Sequence, residues 1–257
     1  MPHDPEMRDF DDTTLWRISA FERVQQETGS SGFARLGDRP TVLPTTLLAD
    51  LTRLDNDPYG TDALEVIAAC VRHREPALLC LRHESLVWPV TLFPLQELYH
   101  SPRSMELATR EGLASLAVLS TEPPGVRAPG HWMHERVGHV EHYRPLAPLL
   151  WQLALHGPRS TLLAEISGAA VYRFVAHRLE GVAMPGGAIG SAMERLRHGS
   201  APLRQIAGWP GMSPERASRM LNALYLVSAL MVSRSHPAAR EPSATRGGWF
   251  GFGRRKT

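Results

Sequence analysis

Residues 187–232 read GAIGSAMERLRHGSAPLRQIAGWPGMSPERASRMLNALYLVSALMV. Their pattern predicts a helix, a short helix, a tight turn at Trp209-Pro210-Gly211 and a long helix. Ser213 is a typical N-cap residue, and Pro214 suits the first turn of the helix that follows. This order of elements is typical of a helix-turn-helix or winged-helix unit, which we place at residues 187–236.

The long helix carries one apolar stripe with helical spacing. Its members are Ala217, Met220, Leu221, Leu224, Val227 and Met231. From Leu224 to Val232 the chain is apolar nearly all round, which predicts burial against another surface. We therefore expect the second half of this helix to be a scaffold or assembly surface.

A polar surface is predicted at the start of the same helix. Arg216, Arg219 and Asn222 are suitable for contact with a partner, and their residue types are also those that read DNA. Glu215 would repel phosphate, and the chain after Val232 leaves little room for a two-stranded wing. DNA binding is therefore the alternative, and protein contact is the leading hypothesis.

The C-terminal segment, residues 237–257, combines aromatic and cationic side chains among glycines. Glycine disfavours a stable helix, so we expect a disordered tail. It either only solubilises the chain, docks on a partner, rests on an anionic membrane surface or stacks on single-stranded nucleic acid. The candidate contact residues are Trp249, Phe250, Phe252, Arg254 and Arg255.

Part of the helical unit resembles the C-terminal part of bacterial PATAN-type regulatory domains, in which a small α/β part precedes a winged-helix-like unit. The residues that carry the resemblance are Leu203–Ala207 and Arg219–Leu226, within a stretch of about fifty residues. The resemblance implies protein contacts in signalling or motility.

The chain before this unit alternates helices and antiparallel strands, so the predicted fold class is α+β. Residues 1–43 are expected to be a flexible extension with one amphipathic piece at Leu15–Gln26, and residues 44–180 an α+β domain that ends before the linker at Gly181–Gly187. The main predicted elements of that domain are helices Thr45–Leu54, Asp62–Arg74, Leu95–Tyr99, Ser104–Leu113 and Leu146–Leu155, a hairpin of Ala77–Arg82 with Leu86–Phe93, strands Leu116–Leu119 and Ala170–Ala176, and an extended Met133–Tyr143. Pro89 predicts an edge or a bulge in the second hairpin strand.

Composition and charge exclude several classes of protein. Hydrophobic residues make up 43% of the 257 residues, which is typical of a globular chain. Residues 233–257 hold six basic side chains and one acid, whereas the rest of the chain holds 22 and 25, so nucleic-acid wrapping by the body is not expected. Because the first residues are acidic and lack an apolar run, we expect no secretory signal there. Cys70 and Cys80 are expected to be buried thiols of a cytoplasmic protein.

Histidines and carboxylates crowd into HWMHERVGHVEH, residues 131–142. The members of the cluster are His131, His134, Glu135, His139, Glu141 and His142. Two His-x-x-His pairs suggest zinc, but position 138 is Gly where a zinc protease has its second histidine. We expect a solvated histidine-rich segment, with a metal-dependent enzyme at His131–His142 as an alternative hypothesis.

The sequence therefore predicts a non-catalytic bacterial regulatory or adaptor protein that acts through protein contacts. We predict no catalytic residues, no metal and no cofactor. A DNA-binding regulator and a metal-dependent enzyme are the two alternatives.

Overall fold

A computed structural model describes residues 15–29, 42–55, 62–175, 182 and 184–235. The α-helices of the described part are α1 (Ile18–Thr28), α2 (Thr45–Asp55), α3 (Ala63–His73), α4 (Met105–Glu111), α5 (Leu146–His156), α6 (Gly187–His198), α7 (Leu203–Ala207) and α8 (Pro214–Leu226). The strands are β1 (Trp16–Arg17), β2 (Ala77–His83), β3 (Leu86–Phe93), β4 (Leu98–His100), β5 (Ala117–Glu122), β6 (Tyr143–Pro145), β7 (Val171–Phe174), β8 (Ala201–Pro202) and β9 (Leu230–Ser233).

The larger sheet is antiparallel and has six strands. Its order is β5-β2-β3-β4-β6, and β1 pairs with β3 beside β4. The predicted hairpin is confirmed, because β2 and β3 pair from Ala77 with Leu92 to His83 with Leu86. The α+β fold class is confirmed as well.

Side chains of β2 alternate between two apolar layers, as the pleat of a strand requires. Leu79 and Leu81 face the main core, which the helices after α1 supply. Leu78 and Cys80 face a smaller cluster that Phe21 of α1 completes. The sheet is therefore covered on both faces.

Pro89 lies in the middle of β3, which has β2 on one side along its whole length. On the other side, β1 pairs only with Leu86 and Val87, and β4 pairs only from Thr91 onward. Pro89 therefore occupies a short unpaired edge between two partial neighbours. Because proline has no N–H to donate, this is the place in an inner strand that tolerates it.

Three predictions about the first 180 residues are wrong. The predicted helix Leu95–Tyr99 is a single 3₁₀ turn at Pro94–Gln96 followed by β4, and the predicted extended segment Met133–Tyr143 holds two 3₁₀ turns. The predicted flexible extension is wrong for Trp16–Thr28, where Phe21 is buried against the sheet. The other residues before position 42 lie outside the described part.

The predicted helix order after Gly187 is confirmed by α6, α7 and α8. A second, three-stranded sheet joins this unit to the preceding chain, because its order is β8-β7-β9 and β7 comes before the predicted linker. One core of buried side chains also runs through both parts, from Leu47 to Leu224. The predicted division at Gly181–Gly187 therefore does not separate two hydrophobic cores.

Among the residues that the structure describes, no helix combines the length and the apolar character needed to cross a membrane. Cys70 and Cys80 are fully buried thiols that form no disulfide, as predicted. Burial raises the pKa of the Cys70 thiol to about 12, so at neutral pH it is protonated and unreactive.

Candidate functional site

Helix α8 begins as the sequence predicts. Ser213 caps it, since its hydroxyl accepts a hydrogen bond from the backbone N–H of Arg216 at 3.1 Å. Five members of the predicted apolar stripe are buried, but Met231 is 56% exposed because the helix ends at Leu226 and the chain continues into β9. The buried face packs on α5 of the same chain.

The prediction that Asn222 contacts a partner is wrong, because this residue is 0% exposed. Its amide oxygen accepts a hydrogen bond from the backbone N–H of Leu163 at 2.9 Å. Its amide nitrogen donates to the carbonyl of Thr161 at 2.9 Å. Asn222 thus satisfies the backbone of a neighbouring segment and holds α8 against it.

Arg219 is used inside the molecule as well. Its guanidinium donates to the carbonyls of Leu155 and Gly157, at 3.1 and 2.6 Å, at the C-terminal end of α5. It also pairs with Glu215 at 3.1 Å. A cation at the end of a helix that has unpaired carbonyls stabilises that end.

Arg216 is the one of the three α8 candidates that remains on the surface. Its guanidinium donates to the carbonyl of Gly211 at 2.8 Å, which fixes it beside the preceding turn. The tail candidates Trp249, Phe250, Phe252, Arg254 and Arg255 lie outside the described residues. The contact surface predicted on α8 is therefore reduced to its first turn.

The histidine-rich loop, residues 123–142, has a defined structure. Its two 3₁₀ turns are His134–Arg136 and Val140–His142. The two sides of the loop are joined where the N–H of Arg127 donates to the carbonyl of Arg136 at 2.8 Å. The imidazole Nδ1 of His131 accepts a hydrogen bond from the N–H of Met133 at 3.1 Å.

The loop is anchored on the sheet through Tyr143 and His100. The hydroxyl of Tyr143 accepts a hydrogen bond from the N–H of Gly138 at 2.9 Å and donates to the carbonyl of Arg127. His100 of β4 lies against Gly138 and 4.7 Å from the Tyr143 ring, centroid to centroid. Burial lowers the pKa of His100 to about 3, so its ring is neutral at pH 7.

A second buried polar cluster lies at the end of β2, and the sequence does not single it out. Arg103 donates to Nδ1 of His83 at 3.2 Å and pairs with Glu111. Nε2 of His83 therefore carries the proton and donates to the carbonyl of Gly112 at 2.7 Å. These contacts connect the end of β2 to α4. The available sequence signal was a histidine two residues after Leu81, on the apolar side of the strand's alternation.

Two apolar side chains of the histidine-rich loop point outward. Trp132 is 78% exposed and Val140 is 76% exposed. The imidazole of His131 stacks on the Trp132 indole, with ring centroids 5.7 Å apart and an angle of 28°. The loop therefore presents a large aromatic surface from an ordered backbone.

The described residues contain no group of three or more histidine, cysteine or acidic side chains arranged to hold a metal ion. His131 and His134 do not share a helix face with His139 and His142, because two separate 3₁₀ turns carry the segment. This geometry gives the metal-enzyme alternative no support within the described ranges.

Residues Leu203–Ala207 form α7, and Arg219–Leu226 form most of α8. Leu221 and Leu224 of that stretch are buried in the common core. In comparisons with known proteins, no family model, no curated protein and no solved structure matches this chain.

Proposed function

We propose that this chain is a non-catalytic bacterial regulatory adaptor of the cytoplasm, which acts through protein contacts in signalling or motility. The observation that carries the proposal is the exposed Trp132 on an ordered loop. Tryptophan is among the residues that contribute most to the affinity of protein interfaces. Its display from a fixed backbone reduces the ordering cost that binding has to overcome.

The burial of α8 favours the hypothesis of protein contact over the hypothesis that this helix binds DNA. A recognition helix needs a polar face that fits into the major groove. In α8 the residues from Ala217 onward are buried except for the partly covered Arg219 and Tyr225. Two buried cysteines that form no disulfide support a reducing compartment such as the cytoplasm.

A photo-cross-linking experiment in the native host tests the proposal. A benzophenone amino acid at position 132 should give a discrete cross-linked protein, whereas the same group at Leu95, which is 64% exposed on another turn, should not. The protein so identified is then purified and titrated calorimetrically against the chain.

In that titration, Trp132→Ala should weaken binding by roughly 30-fold, as expected for a central aromatic contact worth about 2 kcal/mol. Leu95→Ala is the matched control and should leave the affinity unchanged. Equal affinities for the chain and for Trp132→Ala would remove the loop from the interface. Salt-sensitive retention of DNA fragments that Arg216→Ala abolishes would instead favour the DNA-binding alternative.

A further inference from the structure

Two buried histidines meet where the histidine-rich loop joins the sheet. His100 of β4 and His142 at the end of the loop are both more than nine-tenths buried, and their ring centroids are 5.5 Å apart. Nε2 of His100 and Nδ1 of His142 have no hydrogen-bond partner among the described residues. Burial of an imidazole nitrogen without a hydrogen-bond partner costs free energy, because the nitrogen loses the hydrogen bond that water would provide.

The groups around His100 disfavour the protonated, positively charged form of its ring. His139 and His142 face it from the loop, and Arg144 faces it from β6. Of the two carboxylates of this segment, Glu135 is exposed. Glu141 is mostly exposed, and its Oε1 lies 3.8 Å from Nδ1 of His139. The Tyr143 ring and Gly138 also lie against His100. His100 lines a small pocket whose other lining residues are uncharged: Leu78, Pro89, Thr91, Pro102, Gly125 and Val126.

These surroundings set the direction in which pH acts. Burial lowers the pKa of His100 to about 3, whereas a solvated ring has a value of 6.5. The undocked loop therefore binds more protons than the docked loop between these two values. By linkage, docking is fully favoured above pH 6.5 and is progressively lost as the pH falls from 6.5 toward 3.

We propose that His100, packed against His142, is a pH-sensitive latch: protonation of His100 releases the histidine-rich loop from β4 while the sheet stays folded. The release is a property of this chain alone. Its use as a control over partner contacts at Trp132 rests on the proposed function.

Amide hydrogen exchange at pH 7.5 and 5.0, corrected for the intrinsic chemistry of exchange, tests the latch on the full chain without a partner. The amides of Arg127 and Gly138 report docking, because both donate hydrogen bonds within the loop and its anchor. If the His100 ring has a pKa of 6.5 when the loop is released, the protection of these two amides from exchange should be about 30-fold lower at pH 5.0 than at pH 7.5. The amides of Leu79 and Leu81, in the centre of the sheet, should keep their protection.

The variant His100→Leu should remove most of this pH dependence and leave the loop docked. His198→Gln is the matched control, since His198 is 77% exposed and pairs only with Glu194 in the described part, and it should keep the wild-type pH dependence. If His100→Leu does not fold, an NMR titration of the histidine rings of the wild-type chain tests the latch instead. The proposal requires the His100 ring to stay neutral well below pH 6.5. Unchanged protection at pH 5.0, equal loss in β2, or ordinary titration of His100 would each overturn the latch.

Discussion

Asn222 shows how a residue that looks suited to a partner can serve the interior. Its type and its place among the predicted polar residues of the helix predict a surface contact, but its amide makes both of its hydrogen bonds to the backbone of residues 161–163. The sequence does not show where a distant segment will lie, and Leu163 and Asn222 are 59 positions apart in the chain.

Asn222→Asp should therefore destabilise the chain. The change removes the donor to the Thr161 carbonyl and places a carboxylate in a buried site, which costs about 1–3 kcal/mol or more. Urea unfolding followed by circular dichroism measures the loss. Gln205→Ala, on the exposed side of α7, should stay within about 0.5 kcal/mol of the parent chain, and an equal effect of both changes would contradict the role of Asn222.

Gly138 is required by close packing rather than by its backbone angles. A Cβ at this position would lie 2.6 Å from Nε2 of His100, inside van der Waals contact. Because the His100 ring is buried against Tyr143, it has little room to move, and Gly138→Ala should cost about 1–3 kcal/mol.

Thermal unfolding measures the cost of Gly138→Ala. Gly199→Ala is the control, since an added methyl there meets nothing within 4 Å and its backbone is extended. Equal melting temperatures for the two variants would show that the loop yields at no cost.

At the scale of elements, local signals predict the helices and the hairpin well. The capping by Ser213 and the pairing of β2 with β3 both follow from residues close together in the chain. The short elements are harder, because Leu98–His100 becomes a strand only through pairing with Thr91–Phe93 and Tyr143–Pro145. The candidate site was predicted in part. The cluster of histidines draws attention to the segment that contains Trp132, but it does not indicate His100, which anchors the loop from another element.

The contact between α5 and α8 depends on Arg219. Arg219→Met keeps most of the apolar stem but removes the donors to Leu155 and Gly157, so we expect a loss of about 1–3 kcal/mol and faster amide exchange at the end of α5. Arg216→Met is the matched control on the same helix, with one hydrogen bond to an exposed turn. If exchange at the end of α5 does not change, the two helices are held by their apolar faces alone.

At the scale of the whole molecule, the shared core predicts a single unfolding transition. Cys70 in α3 and Ala192 in α6 lie on opposite sides of the predicted linker, and both are buried in that core. Pulsed thiol labelling of Cys70, and of a cysteine placed at Ala192, should therefore give coincident urea midpoints. Two separated midpoints would restore the predicted boundary between domains.

The central position of β7 in the smaller sheet limits how this protein can be divided. Strands β8 and β9 each pair with β7 and not with each other. A fragment that starts at Gly187 would carry two lone strands and an uncovered α8, so it would be prone to aggregate. An excised C-terminal unit must start at or before Val171, and a transplanted one has to bring that strand with it.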